Sequence, residues 1–258
     1  MDNEIKMNLF TIFNRTKTHI QQGKDACLEQ LTPTQQMAEL MRIPGKDRDE
    51  SWQQGILSNL SLVTFRCGEP QIVEDVDGFS YINLFLAEPD DNLEGNVLTK
   101  MMDDFLLQKG WGVKLNSFTG EFCWILSYGD ILNFHLNGDF YFNSGLFSKG
   151  VPLKDVPEKE NILIGAPSAL LIPKVSRSII KTFLIENGIR SPQICFIMRS
   201  NWLGDHLSQD LVFNITPFDV GGDDKFNVLM QKIQWHLPKH YSVVGLDKIA
   251  FKDHFMPL

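Results

Sequence analysis

The sequence lacks the features that mark several large classes of protein. Its four cysteines are scattered, without the spacing of a zinc site or a disulfide framework, so we expect reduced, mostly buried thiols and neither a metal nor a cofactor. No stretch approaches the ~20 apolar residues of a membrane helix. The first residues, Met1-Asp-Asn-Glu4, lack the basic region and apolar core of a signal peptide. These absences predict a cytoplasmic protein that does not enter a membrane.

Clustered basic residues are also missing. The 258 residues include 24 Lys and Arg against 32 Asp and Glu, a formal net charge of −8. The one loose basic group, Lys174, Arg177 and Lys181, has the spacing of a solvated helix face. Because nucleic-acid binding needs clustered Lys and Arg, we expect no nucleic-acid partner.

Catalytic motifs are absent as well. The sequence has no Gly-x-Ser-x-Gly elbow and no phosphate-binding Walker loop. His236 and His240 are four residues apart, but Pro238 lies between them and the glutamate of a zinc-protease motif is missing. We expect them to lie at a helix end, near the negative pole of the helix.

What is present is the composition of a globular protein, with 43% hydrophobic and 22% charged residues. The clearest break is the segment Lys149–Asn161, which carries Pro152, Pro157 and six charged residues. Read as a linker, it predicts an N-terminal α+β domain over 1–150 and a second domain over 160–258.

The second domain has the more regular pattern. A helix is predicted from near Ser176 to Gly188, and another, capped by Asp223, carries an apolar stripe and ends at Pro238. The predicted strands are Ile162–Ile164, Gln193–Met198, Leu211–Ile215 and Tyr241–Leu246. The order βαββαβ predicts a ferredoxin-like domain, a four-stranded antiparallel sheet with both helices on one face.

The first domain begins with a helical extension to about residue 60. The predicted helices are Thr34–Met41, Glu50–Leu60 and Val97–Lys109, and the predicted strands are Ser61–Arg66, Gln71–Val73, Tyr81–Leu86, Trp111–Leu115 and Phe122–Leu126. The stretch Tyr128–Phe142 fits two structures. Asn137-Gly138 favours a hairpin, whereas the capping pair Ser127 and Asp130 favours a helix. The fold class is therefore α+β, with two α/β modules.

The negative charge is concentrated in one segment. Residues 69–104 hold ten acidic residues and one basic residue, a net charge of −9, which leaves about +1 for the rest of the chain. One interpretation is a solvated loop together with helix-start charges. The other is a docking surface for a basic partner, with Asp90, Asp91 and Glu94 at its centre.

A second candidate surface is the loop Arg199–Gln209 between two strands. It places Trp202, Asp205 and His206 among Ser, Asn and Gly residues. The tryptophan either packs back onto its own domain or anchors a partner, since aromatic residues dominate interface hot spots.

Several residues resemble a known family. The run Ile162-Leu-Ile-Gly-Ala-Pro-Ser168, Arg177 in the following helix, Gly188-Ile189 and the late segment His236–Ser242 are similar to the C-terminal module of the bacterial enhanced-serine-sensitivity (SseB-like) proteins. The N-terminal half, with Trp124, Tyr128-Gly-Asp130 and Leu136-Asn-Gly138, is more vaguely similar. The resemblance implies a small bacterial cytosolic protein without an established catalytic site, sometimes associated with secretion, and it names no functional residue.

Three functional hypotheses follow. The first is a non-enzymatic binding or regulatory protein with a protein partner, in a secretion-accessory or toxin-neutralising role. The second is an enzyme with a motif-free site in a cleft between the domains, using His206 with Asp205 or His135 with Asp130. The third is a homo-oligomer joined through a sheet edge of the second domain.

Overall fold

The structure is a computed structural model and describes most of the chain after residue 31. The described residues are 32–87, 96–116, 122–141, 147, 161–200, 207–251 and 253–258. The chain divides into two compact units, Met1–Thr64 and Phe65–Leu258. The predicted boundary between 150 and 160 falls outside the described residues, so the 1–150 and 160–258 domains remain a prediction.

The described part of the first unit is a pair of helices, α1 (Pro33–Met41) and α2 (Glu50–Leu60). Both helices were expected from the sequence, and local capping explains where they begin. Thr32 and Gln35 form a reciprocal capping box ahead of α1, and the Asp49 carboxylate accepts a hydrogen bond from the Trp52 backbone N–H. The indole N–H of Trp52 then donates to the Leu40 carbonyl at 2.8 Å, which joins the two helices.

The second unit begins with a five-stranded mixed sheet in the order β3-β1-β2-β4-β5. Its strands are β1 (Thr64–Glu74), β2 (Ser80–Leu86), β3 (Asn96–Val97), β4 (Gly112–Asn116) and β5 (Phe122–Leu126). β2 is antiparallel to β1 and parallel to β4, whereas β4 and β5 are antiparallel. The two separate strands predicted before residue 74 form one strand with an irregular register.

Helical segments cover this sheet. α3 (Leu98–Met101) continues through a π-helical turn (Met102–Leu106) into α4 (Leu107–Lys109), and α5 (Tyr128–Asn137) follows β5. The strands contribute alternating apolar residues to the buried face, among them Leu84, Leu86 and Leu115. Of the two structures predicted for Tyr128–Phe142, the helix is confirmed over Tyr128–Asn137, and Asn137-Gly138 is a helix end and not a hairpin turn. Gly138 ends α5 in the left-handed conformation at φ 73°.

A second mixed sheet occupies the C-terminal part of the same unit. Its strands are β6 (Asn161–Gly165), β7 (Gln193–Ser200), β8 (Leu207–Phe213), β9 (Val243–Gly245) and β10 (Met256–Pro257). The helices between them are α6 (Lys174–Glu186), the short α7 (Pro217–Val220) and α8 (Asp223–Trp235). The order βαββαβ from β6 to β9 follows the sequence prediction, apart from the short α7.

The predicted ferredoxin-like arrangement is not confirmed. β7 is antiparallel to both β6 and β8, but β9 lies parallel to β8. Because α8 lies in the crossover connection between β8 and β9, β9 runs in the same direction as β8. The expectation that every neighbouring pair is antiparallel is therefore wrong for β8 and β9.

The placement of both helices on one face of this sheet is confirmed. Ile180 of α6 and Ile233 of α8 share a core with Ile194, Leu211 and Phe213 of the sheet. The opposite face has its own small core of Cys195, Ile197 and Val212, against which Phe251 and Phe255 pack. The chain after β9 therefore shields the face that the helices leave uncovered.

A buried ion pair lies between β7 and β8. The Arg199 guanidinium donates to the Asp210 carboxylate at 2.8 Å, and both residues are at least 95% buried. The Ser242 hydroxyl donates to the other carboxylate oxygen at 2.6 Å. The ion pair thus links β7 to β8 in addition to their backbone pairing, and the Ser242 hydrogen bond joins the segment before β9 to β8.

Two predicted helix caps are wrong. α6 begins at Lys174 after Pro173, so Ser176 lies inside the helix, where its hydroxyl bonds to the Tyr128 hydroxyl at 2.9 Å. α8 begins at Asp223 itself, and Gly222 takes the cap position at φ 128°. Among the described residues, no helix is long and apolar enough to cross a membrane.

Candidate functional site

The six binding residues predicted from the sequence lie outside the described residues. Asp90, Asp91 and Glu94 fall in 88–95, and Trp202, Asp205 and His206 fall in 201–206. The structure therefore brings none of them to a described site, and both candidate docking surfaces remain predictions.

Part of the acidic segment does have a structural role. The Asp75 carboxylate pairs with the Lys114 ammonium at 3.1 Å, and the Asp77 carboxylate accepts from the Phe79 backbone N–H at 2.9 Å and from the Tyr81 hydroxyl. Hydrogen bonding from the Val76 backbone N–H, and then Lys114, holds the pKa of Asp75 below its usual range. These two carboxylates thus help to shape the turn between β1 and β2.

The pair His135 and Asp130, proposed for a motif-free enzyme, does not form. Asp130 is buried, accepts from the Ser127 backbone N–H at 2.9 Å and pairs with Lys239 at 3.1 Å. His135 instead faces Asp103, with Nδ1 3.8 Å from the carboxylate. Five residues along a helix turn about 140° around its axis, so the two side chains point to different sides.

A cleft in the second unit is the candidate site that includes a buried polar side chain, His236. It has a volume of about 460 Å³ and lies where the start of β2, the end of α4 and one side of α6 meet. Its polar lining includes Ser80, Gln108, Ser178, Thr182 and His236, and aromatic rings, including that of Trp111, form part of its wall.

The turn before β2 forms one wall of the cleft. Gly78 closes the turn at φ 81° through a hydrogen bond from its N–H to the Asp75 carbonyl. Phe79, the next residue, then stacks on the indole of Trp235 at the end of α8, with ring centroids 3.8 Å apart. The start of β2 is therefore held against the helix that covers the second sheet.

A close approach of α4 and α6 forms the other side. Gly110 ends α4 at φ 72°, and a Cβ added there would lie 2.7 Å from the Ile179 side chain. The absence of a side chain lets the helix end come this near, which places Gln108 and Trp111 opposite Ser178 and Thr182.

His236 is the most buried polar residue of the cleft. It follows α8 directly, is only 4% exposed and sits among the rings of Phe79 and Phe183, whose centroids are 5.3 and 4.7 Å away. Its Nδ1 lies 2.8 Å from the Lys232 carbonyl oxygen. A carbonyl only accepts, so Nδ1 carries the proton of the ring.

Burial decides the charge of this histidine. Desolvation lowers the pKa of His236 to about 4, although the hydrogen bond to Lys232 acts in the opposite direction. The ring is neutral at pH 7, so Nε2 carries a lone pair. Within the described part of the chain Nε2 makes no hydrogen bond, so it is available as an acceptor on a residue that lines the cleft.

The sequence correctly predicted that His236 lies at a helix end, but it did not predict the environment of the ring. A helix end ordinarily favours a charged histidine, but this ring is neutral because four aromatic residues enclose it: Phe79, Tyr128, Phe183 and Trp235. No local pattern indicates this enclosure, since Phe79 and Tyr128 are more than 100 residues before the histidine in the sequence.

A second cavity, of about 470 Å³, lies along α8 and is bordered by Asp219, Asp224 and Lys225. These side chains are largely exposed, and Val228 beside them is 53% exposed. It has no buried polar group comparable to His236 among its described lining, so the first cleft is the stronger candidate.

The described residues contain no group of three or more His, Cys, Asp or Glu side chains placed to hold a metal ion. Compared with known proteins, the chain matches no family model, no curated protein and no solved structure.

Proposed function

We propose that this chain is a non-enzymatic binding protein that takes a small polar ligand in the cleft above His236. The observation that carries the proposal is the buried, neutral histidine with an unused acceptor, Nε2, in a cleft of about 460 Å³. An acceptor without a protein partner, on a side chain that is only 4% exposed and lines a cavity, is typical of the few orienting polar groups of a small-molecule site.

The surrounding side chains support binding. The hydroxyls of Ser80, Ser178 and Thr182 each donate and accept, and Gln108 adds an amide. Aromatic rings, including that of Trp111, offer apolar surface beside these polar groups. A few polar groups in an aromatic-walled cavity are typical of small-molecule sites.

The same geometry favours binding over catalysis. A histidine whose pKa is about 4 accepts a hydrogen bond at pH 7 but is a weak base. The nearby Tyr128 hydroxyl donates to the Leu107 carbonyl and accepts from the Ser176 hydroxyl, and burial raises its pKa to about 12. Neither group is poised for proton transfer at neutral pH.

The regulatory role with a basic protein partner is a separate proposal. It depends on the charge of residues 69–104 and on the resemblance to the SseB-like proteins. A ligand site of this kind is compatible with it, because a bound small molecule can bias a protein–protein interaction.

The test is a ligand screen read by NMR on ¹⁵N-labelled protein. Pools of uncharged and charged metabolites are added, and we expect saturable shifts at the amides of Ser80, Ser178 and Thr182 and at the indole of Trp111. Ser178→Tyr, which fills the cleft, should abolish the shifts. Ile185→Tyr is the matched control, because Ile185 is on the same helix, 49% exposed and outside the cleft lining. Shifts that survive Ser178→Tyr, or a screen without a single cleft-centred response, would contradict the proposal.

A further inference from the structure

The cleft also specifies the chemical group that a ligand presents to His236, an inference that rests on the function proposed above. We infer that the ligand is an uncharged molecule that donates a hydrogen bond, from an O–H or N–H group, to Nε2 of His236. Three features of the cleft lead to this conclusion: the tautomer of the histidine, the placement of nearby charges, and the chemistry of the walls.

The tautomer is fixed by the backbone. Nδ1 lies 2.8 Å from the Lys232 carbonyl oxygen, a partner that cannot donate, so the single proton of the neutral ring is on Nδ1. Nε2 is left with a lone pair and no proton. A ligand atom that meets Nε2 must therefore supply the hydrogen.

A carboxylate does not meet this requirement. At neutral pH a carboxylate presents only lone pairs, which would face the lone pair of Nε2. The ring is 4% exposed and has the apolar rings of Phe79 and Phe183 beside it, so the anion would lose its hydration without a compensating hydrogen bond there.

A cationic donor is disfavoured for a different reason. The Lys232 ammonium already lies 5.8 Å from the ring centroid of Phe79, a residue that lines the cleft. At the rim, Lys109 and Glu186 carry opposite charges, so they give the cleft no net preference for an ion of either sign. An uncharged donor avoids repulsion from Lys232 and costs less to desolvate.

The walls suit such a molecule. Ser80, Ser178 and Thr182 supply hydroxyls that rotate to match either a donor or an acceptor, so they accommodate the remaining polar groups of an alcohol or an amide. Among the described lining residues, the role of the His236 side chain is fixed by a hydrogen bond to the backbone, and it is therefore the selective contact.

The first test needs no variant. In ¹⁵N-labelled protein at pH 7, long-range ¹H–¹⁵N spectra of the histidine side chains distinguish protonated from unprotonated ring nitrogens. We expect an unprotonated Nε2 and a protonated Nδ1 for His236. A proton on Nε2 would overturn the inference and remove the acceptor on which the proposed function rests; whether the cleft binds a ligand at all is then decided by the fragment responses below.

The second test compares fragments of matched size. Acetamide and acetate are nearly isosteric, but only acetamide donates; ethylene glycol provides the hydroxyl counterpart, and methylammonium is the cationic probe. We expect acetamide or ethylene glycol, or both, to shift Nε2 of His236 and the amides of Ser178 and Thr182, and acetate and methylammonium to leave them unchanged. The comparison of acetamide with ethylene glycol shows whether an N–H or an O–H donor is preferred.

Variants complete the design. His236→Phe keeps a ring and removes the acceptor, and we expect binding of the neutral fragment to weaken about tenfold, the value of one hydrogen bond. His254→Phe, at an exposed histidine, is the control and should bind as wild type does. Equal binding of acetate and acetamide would overturn the inference alone, whereas no response of the cleft to any fragment would count against the proposed function as well.

Discussion

The ring of Phe79 stacks on the indole of Trp235 with centroids 3.8 Å apart and planes within 3° of parallel. Phe79 precedes β2 in the first sheet, and Trp235 ends the helix that covers the second sheet. The indole N–H of Trp235 also donates to the Tyr81 hydroxyl at 3.0 Å. This contact joins the two sheets of the second unit and builds the wall of the cleft, so the stability of the unit and its binding site depend on the same residues.

Removing the stacked ring should destabilise the protein. Phe79 is 9% exposed, and Phe79→Ala should lower the free energy of unfolding by about 3–5 kcal/mol, as measured by urea denaturation. A double-mutant cycle with Trp235→Leu should give a coupling of about 0.5–1.5 kcal/mol. Phe218→Ala, at a residue that is 94% exposed, is the control and should change the stability little. Additive effects of Phe79→Ala and Trp235→Leu would show that the stack contributes nothing of its own.

Gly129 permits a close contact between α5 and the segment after α8. A Cβ at this position of α5 would lie 1.9 Å from the Leu237 carbonyl oxygen, so the segment after α8 must move before alanine fits. Gly129→Ala should cost about 3 kcal/mol or more in thermal or urea unfolding, because the clash involves backbone. Gly165→Ala is the matched control, since nothing lies within 4 Å of its added Cβ. Equal stability of the two variants would contradict this packing.

The protein should lose stability in acid through His236. Its pKa falls from 6.5 to about 4 on folding, so the unfolded chain binds more protons between these values. Stability due to the neutral ring is complete above pH 6.5 and is lost as the pH falls towards 4, by an amount on the order of 3 kcal/mol. Burial also lowers the pKa of His240, which acts in the same direction.

Denaturation curves between pH 4 and 7 test this prediction. The pH dependence should be shallower in His236→Phe than in wild type. Parallel curves for His236→Phe and wild type would mean that the ring titrates alike in the folded and unfolded chain.

Breaking the buried ion pair should destabilise the protein more than breaking an exposed one. Arg199→Met or Asp210→Leu leaves one buried charge behind and should cost about 3–5 kcal/mol, whereas the double variant should be more stable than either single variant. Arg42→Ala removes the exposed partner of Glu39 in the first unit and should cost no more than about 1 kcal/mol. A double variant that is as unstable as the sum of its parts would show that the two charges are independent.

Local signals in the sequence determined several elements of this fold. The capping box of Ser127 and Asp130 begins α5, and the left-handed Gly138 ends it. The apolar stripe of α8 buries Leu229 and Ile233 against the second sheet. These features depend on backbone hydrogen bonds and side-chain periodicity over a few residues, which a sequence displays directly.

The tertiary structure alone decided the sheet pairing and the site. The parallel register of β8 and β9, the stack of Phe79 on Trp235 and the neutral ring of His236 each depend on residues that are distant in sequence. A helix-end histidine is ordinarily a favourable cation, and only its enclosure by aromatic rings makes the charged form too costly. Local periodicity thus determined where the helices and strands form, while burial by distant residues set the charge of His236 and with it the chemistry of the cleft.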